Sequence, residues 1–326
     1  MKAFRYSTPA AGLQLQQVPV PEPGPGQALV AVKAAGLCHS DCHILKGQGE
    51  AWLAKKPITL GHEVAGIVVK VGPGHSPSPV RTGDRVAIGY YFERSQQGGP
   101  DSPPGLGYDG GFAEYVVANV TSLIKIPEGV SFEQAAVAMD SVATGYHAVV
   151  QANATRDSTI AIVGLGGLGT NGLATALAKG AKVYAVDTNN EKIEEAKRAG
   201  AVDGAVSLSA FKHVTFDAIV DFVGGSVTAD AVSIVKPGGI VVLVGLGADT
   251  INVPAHLLVT RYVTLKGSMG ATFQELKDVL DLIAAGVFNL HLEEIDFDDI
   301  PKGYERLEKN AVPGRLFTRP TQSVEL

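Results

Sequence analysis

Short strand-like runs separated by glycine- and proline-rich turns make up the first third of the chain. The turn-forming stretch Pro21-Glu22-Pro23-Gly24-Pro25-Gly26 precedes an apolar run, and three further runs follow it; the four runs cover residues 28–35, 64–71, 83–88 and 112–117. Many short strands bounded by such turns are typical of a compact, partly antiparallel, barrel-like domain. We therefore expect a β-rich domain here.

The pattern changes after about residue 130, where helices begin to alternate with continuous apolar runs. Ser131-Phe132-Glu133-Gln134 is a capping box that opens a helix toward Asp140, and a second helix covers 141–151. The runs 159–163, 183–186, 218–222 and 240–244 predict buried strands, and 170–179 and 190–199 predict helices. This alternation indicates a parallel sheet covered on both faces. The stretch from 273 to 286 returns to helix, which we expect to rejoin the first domain.

Length and composition limit the class of protein. A chain of 326 residues favours two domains, and 45% apolar with 18% charged residues is typical of a packed protein. The net charge of −6 and the scarcity of Lys/Arg clusters argue against nucleic-acid or anionic-membrane partners. No apolar run approaches the roughly 18 residues of a membrane span, and we expect no secretory signal. With only two cysteines, Cys38 and Cys42, a disulfide framework is excluded and a cytoplasmic location is the expectation.

A glycine-rich turn follows the predicted strand 159–163 and opens the next predicted helix. Gly164 permits the tight turn, Gly166 lets backbone approach a pyrophosphate, and Gly169 allows close packing of helix on strand. Asp187 lies about 20 residues on, where a carboxylate accepts ribose hydroxyls and would repel a 2′-phosphate. The turn therefore predicts NAD, in preference to NADP; a plain βα turn is the alternative.

Cys38, His62, Glu63 and Asp140 offer a thiolate, an imidazole and carboxylates. This mixture suits a catalytic zinc with one position left open. Each residue also has a simpler interpretation, since a lone buried cysteine is usually a small hydrophobe and Asp140 could cap the following helix.

Five motifs make the sequence similar to the zinc-dependent alcohol dehydrogenases of the medium-chain dehydrogenase/reductase superfamily, over nearly its whole length. They are Gly36-Leu37-Cys38-His39-Ser40-Asp41-Cys42-His43, Gly61-His62-Glu63-Val64-Ala65-Gly66, Gly83-Asp84-Arg85-Val86, Gly110-Gly111-Phe112-Ala113-Glu114-Tyr115 and Gly164-Leu165-Gly166-Gly167-Leu168-Gly169. The resemblance implies an α/β protein: a GroES-like β-rich catalytic domain (1–140 and 270–326) enclosing a Rossmann, doubly wound parallel-sheet domain (141–269), with NAD in the cleft between them.

By resemblance, Cys38 and His62 are zinc ligands, Asp140 takes a third position that is often cysteine, and Glu63 is an alternative ligand. Asp41 would orient the His62 imidazole. Ser40 would accept the alcohol proton and pass it, through the nicotinamide ribose, to His43. Cys42 is interpreted as a buried thiol. The cofactor contacts implied by the family are His39, Thr144, Gly164, Gly166, Gly167, Leu168, Gly169, Asp187, Leu246, Ser268 and Arg315; of these His39 and Arg315 would meet the pyrophosphate.

The family's four-cysteine lobe is missing, because the interval 87–109 is short and holds no cysteine. A structural zinc is therefore excluded. The shortened loop either leaves the mouth of the site open to a bulkier substrate or, through its Gly/Pro-rich part at 95–110, folds over it as a lid. We assign His75 to a surface turn and expect large pocket walls at Trp52, Tyr90, Tyr91 and Met269.

The predicted function is reversible hydride transfer between NAD(H) and an alcohol/carbonyl pair, by a homo-oligomer (dimer or tetramer) acting on a small molecule. Two alternatives stay open: a zinc-free reductase of quinones or activated alkenes, and a nicotinamide-binding protein that has lost catalysis. The presence of both Ser40 and His43 favours the zinc enzyme over either.

Overall fold

The computed structural model describes residues 1–74, 78–90, 102–309, 311–312 and 314–323. The strands, in chain order, are β1 (Lys2–Tyr6), β2 (Leu13–Gln17), β3 (Gln27–Gly36), β4 (Ile58–Thr59), β5 (Glu63–Val71), β6 (Arg85–Ile88), β7 (Tyr115–Asn119), β8 (Leu123–Lys125), β9 (Thr159–Val163), β10 (Lys182–Val186), β11 (Asp203–Ala205), β12 (Ala218–Asp221), β13 (Ile240–Leu243), β14 (Thr264–Gly267), β15 (Leu292–Ile295) and β16 (Arg315–Thr318). The helices are α1 (His39–Leu45), α2 (Phe132–Val137), α3 (Ala143–Gln151), α4 (Gly169–Ala178), α5 (Asn190–Ala199), α6 (Ser226–Ile234), α7 (Ala255–Arg261), α8 (Phe273–Ala284) and α9 (Ile300–Glu308).

The chain divides into two units. Unit 1 comprises Met1–Asp140 and Thr272–Leu326, and unit 2 comprises Ser141–Ala271. The sequence had predicted boundaries after residues 140 and 269, and the two units divide after residues 140 and 271. Within the described part of the chain, no helix is long and apolar enough to cross a membrane.

Unit 1 is built on strands that pair mostly antiparallel. One sheet has the order β15-β16-β3-β5-β6-β8, with β7 also paired to β3, and a smaller sheet has the order β2-β1-β4. The central pair, β3 and β5, is buried along almost its whole length, with register shifts between Leu29 and Val30 and between Val32 and Ala34. Such shifts bend a strand and increase its twist, as barrel-like sheets require.

Unit 2 is a parallel sheet with the order β11-β10-β9-β12-β13-β14. Numbered within the unit, this is 3-2-1-4-5-6, the doubly wound order of dinucleotide-binding sheets. Alternate residues of β9 enter opposite cores, with Ile160 and Ile162 on one face and Ala161 and Val163 on the other. Because both faces are buried, its strands are continuously apolar, which is why their positions could be predicted.

The two predicted helices around Asp140 form as expected, but the residues between them differ. The capping box of α2 is complete: Gln134 N–H donates to Ser131 Oγ, and Gln134 Oε1 accepts from Ser131 N–H. Between α2 and α3, residues Ala138–Val142 form a π-helical turn. Such turns insert one extra residue and are frequent at functional sites. Asp140 lies in this turn.

Candidate active site

Strand register brings the cysteine and histidine motifs together. Gly36 at the end of β3 pairs with Glu63 at the start of β5, so Cys38 and His62 lie just beyond a shared edge. The approach is close: a Cβ on Gly36 would lie 1.9 Å from Glu63 Oε2. On the other side of β3, Phe317 of β16 pairs with the same Gly36, which brings Arg315 to this edge.

Four potential ligands form one cluster. Cys38 Sγ, His62, Glu63 and Asp140 each offer an atom, and these atoms all lie within 4.8 Å of one another. Asp140 Oδ2 is 3.2 Å from Cys38 Sγ and 3.7 Å from His62 Nε2. Ligands at about 2.0–2.3 Å from a tetrahedral zinc lie about 3.3–3.8 Å from one another. The donor set and its spacing therefore fit zinc.

Asp140 does not occupy a helix-cap position. The residue before α3 is Val142, which makes no side-chain capping hydrogen bond. The carboxylate instead contacts Cys38, His62, Arg315 and the hydroxyl of Tyr90. The geometry thus favours the ligand interpretation of Asp140 over the cap.

Arg315 lies beside two of these carboxylates. Its Nε donates to Glu63 Oε2 at 3.2 Å, its Nη2 donates to Glu63 Oε1, and Nη2 lies 3.1 Å from Asp140 Oδ2. Arg315 and Glu63 are both buried. We had expected Arg315 to contact a pyrophosphate; in the structure its guanidinium is directed to these acids.

The site is rich in buried negative charge. Burial raises the pKa of Glu63 to about 7, although Arg315 opposes the shift. Burial would also raise the pKa of Asp140, but His62, Arg315 and Cys38 outweigh it and hold this pKa well below its usual range. Glu63 and Asp140 share one guanidinium, that of Arg315, and a third buried carboxylate, Asp41, faces His62. Buried carboxylates are costly unless cations pair with them.

The second nitrogen of His62 faces another carboxylate. Its Nδ1 lies 3.4 Å from Asp41 Oδ1, and Tyr304 O–H donates to Asp41 Oδ2 at 2.6 Å. Burial would lower the pKa of His62, yet Asp41 and Asp140 raise it well above its ordinary value. A carboxylate on the far nitrogen is the usual way in which a metal-binding imidazole is oriented.

The two residues of the expected proton relay both lie on α1. Ser40 Oγ is 3.5 Å from His62 Nε2, beside the cluster. His43 lies further along the helix, with Nδ1 3.1 Å from Gln48 Oε1 and its ring edge-on to Trp52 at 6.2 Å. Between them Cys42 is buried, and its burial, with the nearby Asp41, raises its pKa to about 12. Cys42 is therefore an inert thiol.

The glycine turn of unit 2 joins β9 to α4. Gly164 has φ +85°, and a Cβ on Gly169 would lie 1.7 Å from Gly164 O. At Gly166, by contrast, a Cβ would meet nothing within 4 Å among the described residues. The three glycines thus provide a turn, a close packing contact and an open backbone face, which is what a pyrophosphate needs at a helix N-terminus.

Asp187 ends β10 and is bonded to this turn. Its Oδ2 accepts from Leu165 N–H at 2.7 Å, and its Oδ1 accepts from Asn189 N–H at 2.8 Å. The same carboxylate therefore fixes the turn and is half-exposed beside it. Within the turn, Gly167 O accepts from Asn171 Nδ2 at 2.7 Å, and Leu168 is the residue before α4.

The other expected cofactor residues are spread over both units. In unit 1, His39 is exposed at the start of α1. In unit 2, Thr144 is buried in α3, Leu246 is 62% exposed after β13, and Ser268 follows β14, with its N–H donating to Leu243 O at 2.9 Å.

Three residues of the site had been misjudged or missed. Tyr90, expected in a pocket wall, is 2% exposed and its hydroxyl lies 3.3 Å from Asp140 Oδ1. Tyr304 and the acid-binding role of Arg315 had no local signal, because both come from the C-terminal segment. Trp52 and Met269 are exposed, at 38% and 60%. Tyr91, His75 and residues 95–101 of the suggested lid lie outside the described residues.

Comparisons with known proteins agree with this geometry. Residues 24–128 match the model of the alcohol dehydrogenase GroES-like domain, and residues 167–285 match that of the zinc-binding dehydrogenases. An alcohol dehydrogenase of Geobacillus stearothermophilus is 32% identical, covering 98% of this chain and 99% of its own. An NAD-dependent alcohol dehydrogenase of Sulfurisphaera tokodaii is also 32% identical, over 98% of this chain and its whole length.

A solved structure extends the likeness to three dimensions. The acetophenone reductase of Geotrichum candidum in complex with NAD has a TM-score of 0.88 and 33% identity, covering 99% of this chain and 98% of its own. This chain belongs to the zinc-type alcohol dehydrogenase family of medium-chain dehydrogenases. The predicted fold class, a GroES-like unit with a Rossmann unit, is confirmed, and the chain is an NAD-dependent oxidoreductase of alcohol/carbonyl pairs.

Proposed function

We propose that this alcohol dehydrogenase family member holds one catalytic zinc through Cys38, His62 and Asp140, with Glu63 as an alternative ligand. The observation that carries the proposal is the buried cluster itself, whose four ligand atoms lie within 4.8 Å of one another. Thiolate, imidazole and carboxylate are the ligands of catalytic zinc sites, which keep one position open. No structural zinc is proposed, because the two cysteines of the chain cannot form a four-thiolate site.

Zinc bound here would supply Lewis-acid polarisation of the substrate oxygen, and NAD would supply the hydride acceptor. The chain's own residues orient the site and move the proton. Asp41, held by Tyr304 O–H, faces Nδ1 of the His62 ring and orients it. Ser40, 3.5 Å from His62 Nε2, would take the alcohol proton as it releases its own toward His43, on the same helix, which would exchange it with solvent.

For the cofactor, we propose that the turn at Gly164–Gly169 and its helix bind the pyrophosphate of NAD. Asp187 would accept the adenosine ribose hydroxyls. Its Oδ2 already accepts from Leu165 N–H in the turn and its Oδ1 from Asn189 N–H, and a carboxylate keeps further lone pairs for the ribose. Thr144, Leu246, Ser268 and His39 stay in the proposal as the remaining contacts.

The substrate is a small alcohol or the corresponding carbonyl compound. The dimer or tetramer and the cytoplasmic location stay predictions; the two free, buried cysteines are consistent with a reducing compartment. Size-exclusion chromatography with light scattering would measure the oligomer directly.

Zinc content tests the proposal against the zinc-free reductase. We expect about one zinc per chain in the purified protein by elemental analysis. Cys38→Ser should lose the metal, whereas Cys42→Ser, which changes an equally buried thiol on α1, should keep it. A protein without zinc that reduces activated alkenes would replace this proposal with the reductase.

A further inference from the structure

At the third ligand position, this chain has an aspartate where many relatives have a cysteine, and the two side chains differ in the number of atoms that could bind a metal. A cysteine offers a metal a single sulfur, whereas Asp140 brings two oxygens into a site where its side chain is only 15% exposed. One oxygen, Oδ2, faces the cluster and contacts Cys38, His62 and Arg315. Leaving a buried carboxylate oxygen without a donor is destabilising, so Oδ1 also needs a partner.

Tyr90 is placed to meet this need. Its hydroxyl lies 3.3 Å from Asp140 Oδ1, the oxygen that does not face the cluster. A distance of 3.3 Å is long for an O–H···O bond, so the interaction in this structure is weak. It nevertheless involves Oδ1, whereas the contacts with the cluster involve Oδ2. A tyrosine hydroxyl carries its proton at neutral pH, so it can donate to this oxygen.

The backbone fixes the position of this hydroxyl. Tyr90 follows Gly89 directly after β6, and at Gly89 a Cβ would come within 2.9 Å of Leu276 and 3.0 Å of Ile124. Tyr90 itself is 2% exposed. Because the Tyr90 side chain is already ordered, little conformational entropy is lost when its hydroxyl bonds to the Asp140 carboxylate.

We propose that Tyr90 is a positioning residue for the metal site: it holds Asp140 Oδ1 so that Oδ2 alone serves as the ligand. This inference rests on the proposed zinc site. It predicts that tyrosine at 90 and aspartate at 140 act as a unit, because a thiolate at 140 would have no second atom for Tyr90 to hold.

The test is a double-mutant cycle on zinc affinity, measured by competition with a chromophoric chelator. Tyr90→Phe should weaken zinc binding by about 10–100-fold, the usual effect of removing an outer partner of a ligand. In the Asp140→Cys background the same Tyr90→Phe change should alter zinc affinity by less than about threefold. The visible spectrum of the cobalt-substituted protein should differ between the parent and Tyr90→Phe. It should be the same for Asp140→Cys with and without Tyr90→Phe.

Tyr6→Phe is the matched control. Tyr6 is as buried as Tyr90, lies in the same unit, and donates to a carboxylate outside the cluster, Glu50 Oε1, at 2.9 Å. It should leave zinc affinity and the cobalt spectrum unchanged. Equal losses of zinc affinity for Tyr90→Phe in both backgrounds would show that Tyr90 acts by packing, and unchanged affinity in the parent background would remove its role altogether.

Zinc binding by the parent protein and by Tyr90→Phe distinguishes the metal site from the role of Tyr90. If the parent protein binds no zinc, the metal site is refuted and the role of Tyr90 with it. If the parent binds zinc and Tyr90→Phe binds it equally well, only the role of Tyr90 is refuted.

Discussion

Arg315 and Glu63 form a buried ion pair with two contacts between residues that are far apart in sequence. Nε lies 3.2 Å from Oε2, and Nη2 approaches Oε1 while also lying 3.1 Å from Asp140. Glu63 is fully buried and Arg315 is 7% exposed. The arginine therefore neutralises the acids of the cluster from within the protein.

Removing this arginine should destabilise the fold. Arg315→Ala leaves Glu63 and Asp140 without their cation, and breaking a buried pair costs about 3–5 kcal/mol. The free energy of unfolding of the metal-stripped protein, from denaturant titration, measures the loss. Adding Glu63→Gln should recover part of it, since the unpaired charge is then gone.

The control for Arg315 is another two-contact pair. Arg306 donates to Glu293 at 2.6 and 2.9 Å, but these side chains are 38% and 43% exposed. Arg306→Ala should lower the free energy of unfolding far less than Arg315→Ala does, because solvent screens an exposed pair. Similar losses for Arg306→Ala and Arg315→Ala would contradict the importance of burial.

Asp140 can be tested by metal content. Asp140→Ala should lose zinc and alcohol oxidation together, because a ligand is gone, while Asp140→Cys should retain zinc. A role in helix capping would instead cost on the order of 1 kcal/mol of stability and leave zinc content unchanged. A full zinc complement in Asp140→Ala would exclude Asp140 from the ligand set.

Asp187 should determine cofactor choice. The parent protein should bind NADH more tightly than NADPH in calorimetric titration, since a carboxylate repels the 2′-phosphate. Asp187→Ala should weaken NADH binding at least about tenfold, because it removes both the ribose acceptor and the hydrogen bond to Leu165 N–H.

Asp203 provides the matched control for Asp187. It begins the neighbouring strand β11 and its Oδ1 accepts only from the adjacent Gly204 N–H among the hydrogen bonds described for it. Asp203→Ala should bind NADH as the parent does. Tighter binding of NADPH by the parent would overturn the assignment of Asp187.

Glu114 should stabilise unit 1 in a pH-dependent way. This buried carboxylate accepts from Lys2 N–H at 2.7 Å and from Ser323 N–H at 2.7 Å, so it joins residues near both ends of the chain. Burial would raise the pKa of Glu114, but these hydrogen bonds outweigh it and lower the pKa. Glu114→Gln should cost about 2 kcal/mol at pH 7.

The sign of the pH effect follows from the lowered pKa. The ionised form is favoured by folding, so its contribution is complete above the unfolded value of about 4.3 and is lost as pH falls through the folded value. The difference in unfolding free energy between the parent and Glu114→Gln should therefore shrink below about pH 4. Glu22→Gln, at an exposed acid paired with Lys70, should change the free energy of unfolding little at pH 7. A constant difference for Glu114→Gln down to pH 3 would contradict the assignment.

The sequence predicted the four inner strands of the Rossmann unit and its helices α3, α4 and α5, because strands buried on both faces read as unbroken apolar runs. It did not predict the less buried edge strands β11 and β14 or the helices α6 and α7. It predicted helix 190–199 with the bounds that α5 has. The β-rich unit was harder: β1, β2 and β16 have no distinctive pattern, and the run at 112–117 corresponds to β7 at Tyr115–Asn119. The hydrophobic pattern of one strand does not show which other strand it pairs with in the sheet.

The site shows the same division. The ligands, the turn glycines and Asp187 could be predicted from the sequence because each belongs to a short motif. Tyr90, Tyr304 and the pairing of Arg315 with Glu63 depend on contacts across the fold, and the sequence around each is unremarkable. The direction of a side chain such as Arg315, toward an acid or toward a phosphate, is decided by which charges are buried nearby.

Unit 1 is assembled from two chain segments, with the whole of unit 2 between them. During synthesis, the segment carrying Cys38, His62, Glu63 and Asp140 is complete long before Tyr304 and Arg315 are made. The acids of the metal cluster must therefore wait, without their arginine, until the nucleotide-binding unit has been translated. The His62 imidazole, on the same early segment, is available to Asp41 and Asp140, but Glu63 gains its guanidinium only when the last segment has been made, so the charges of the cluster are balanced only in the finished unit.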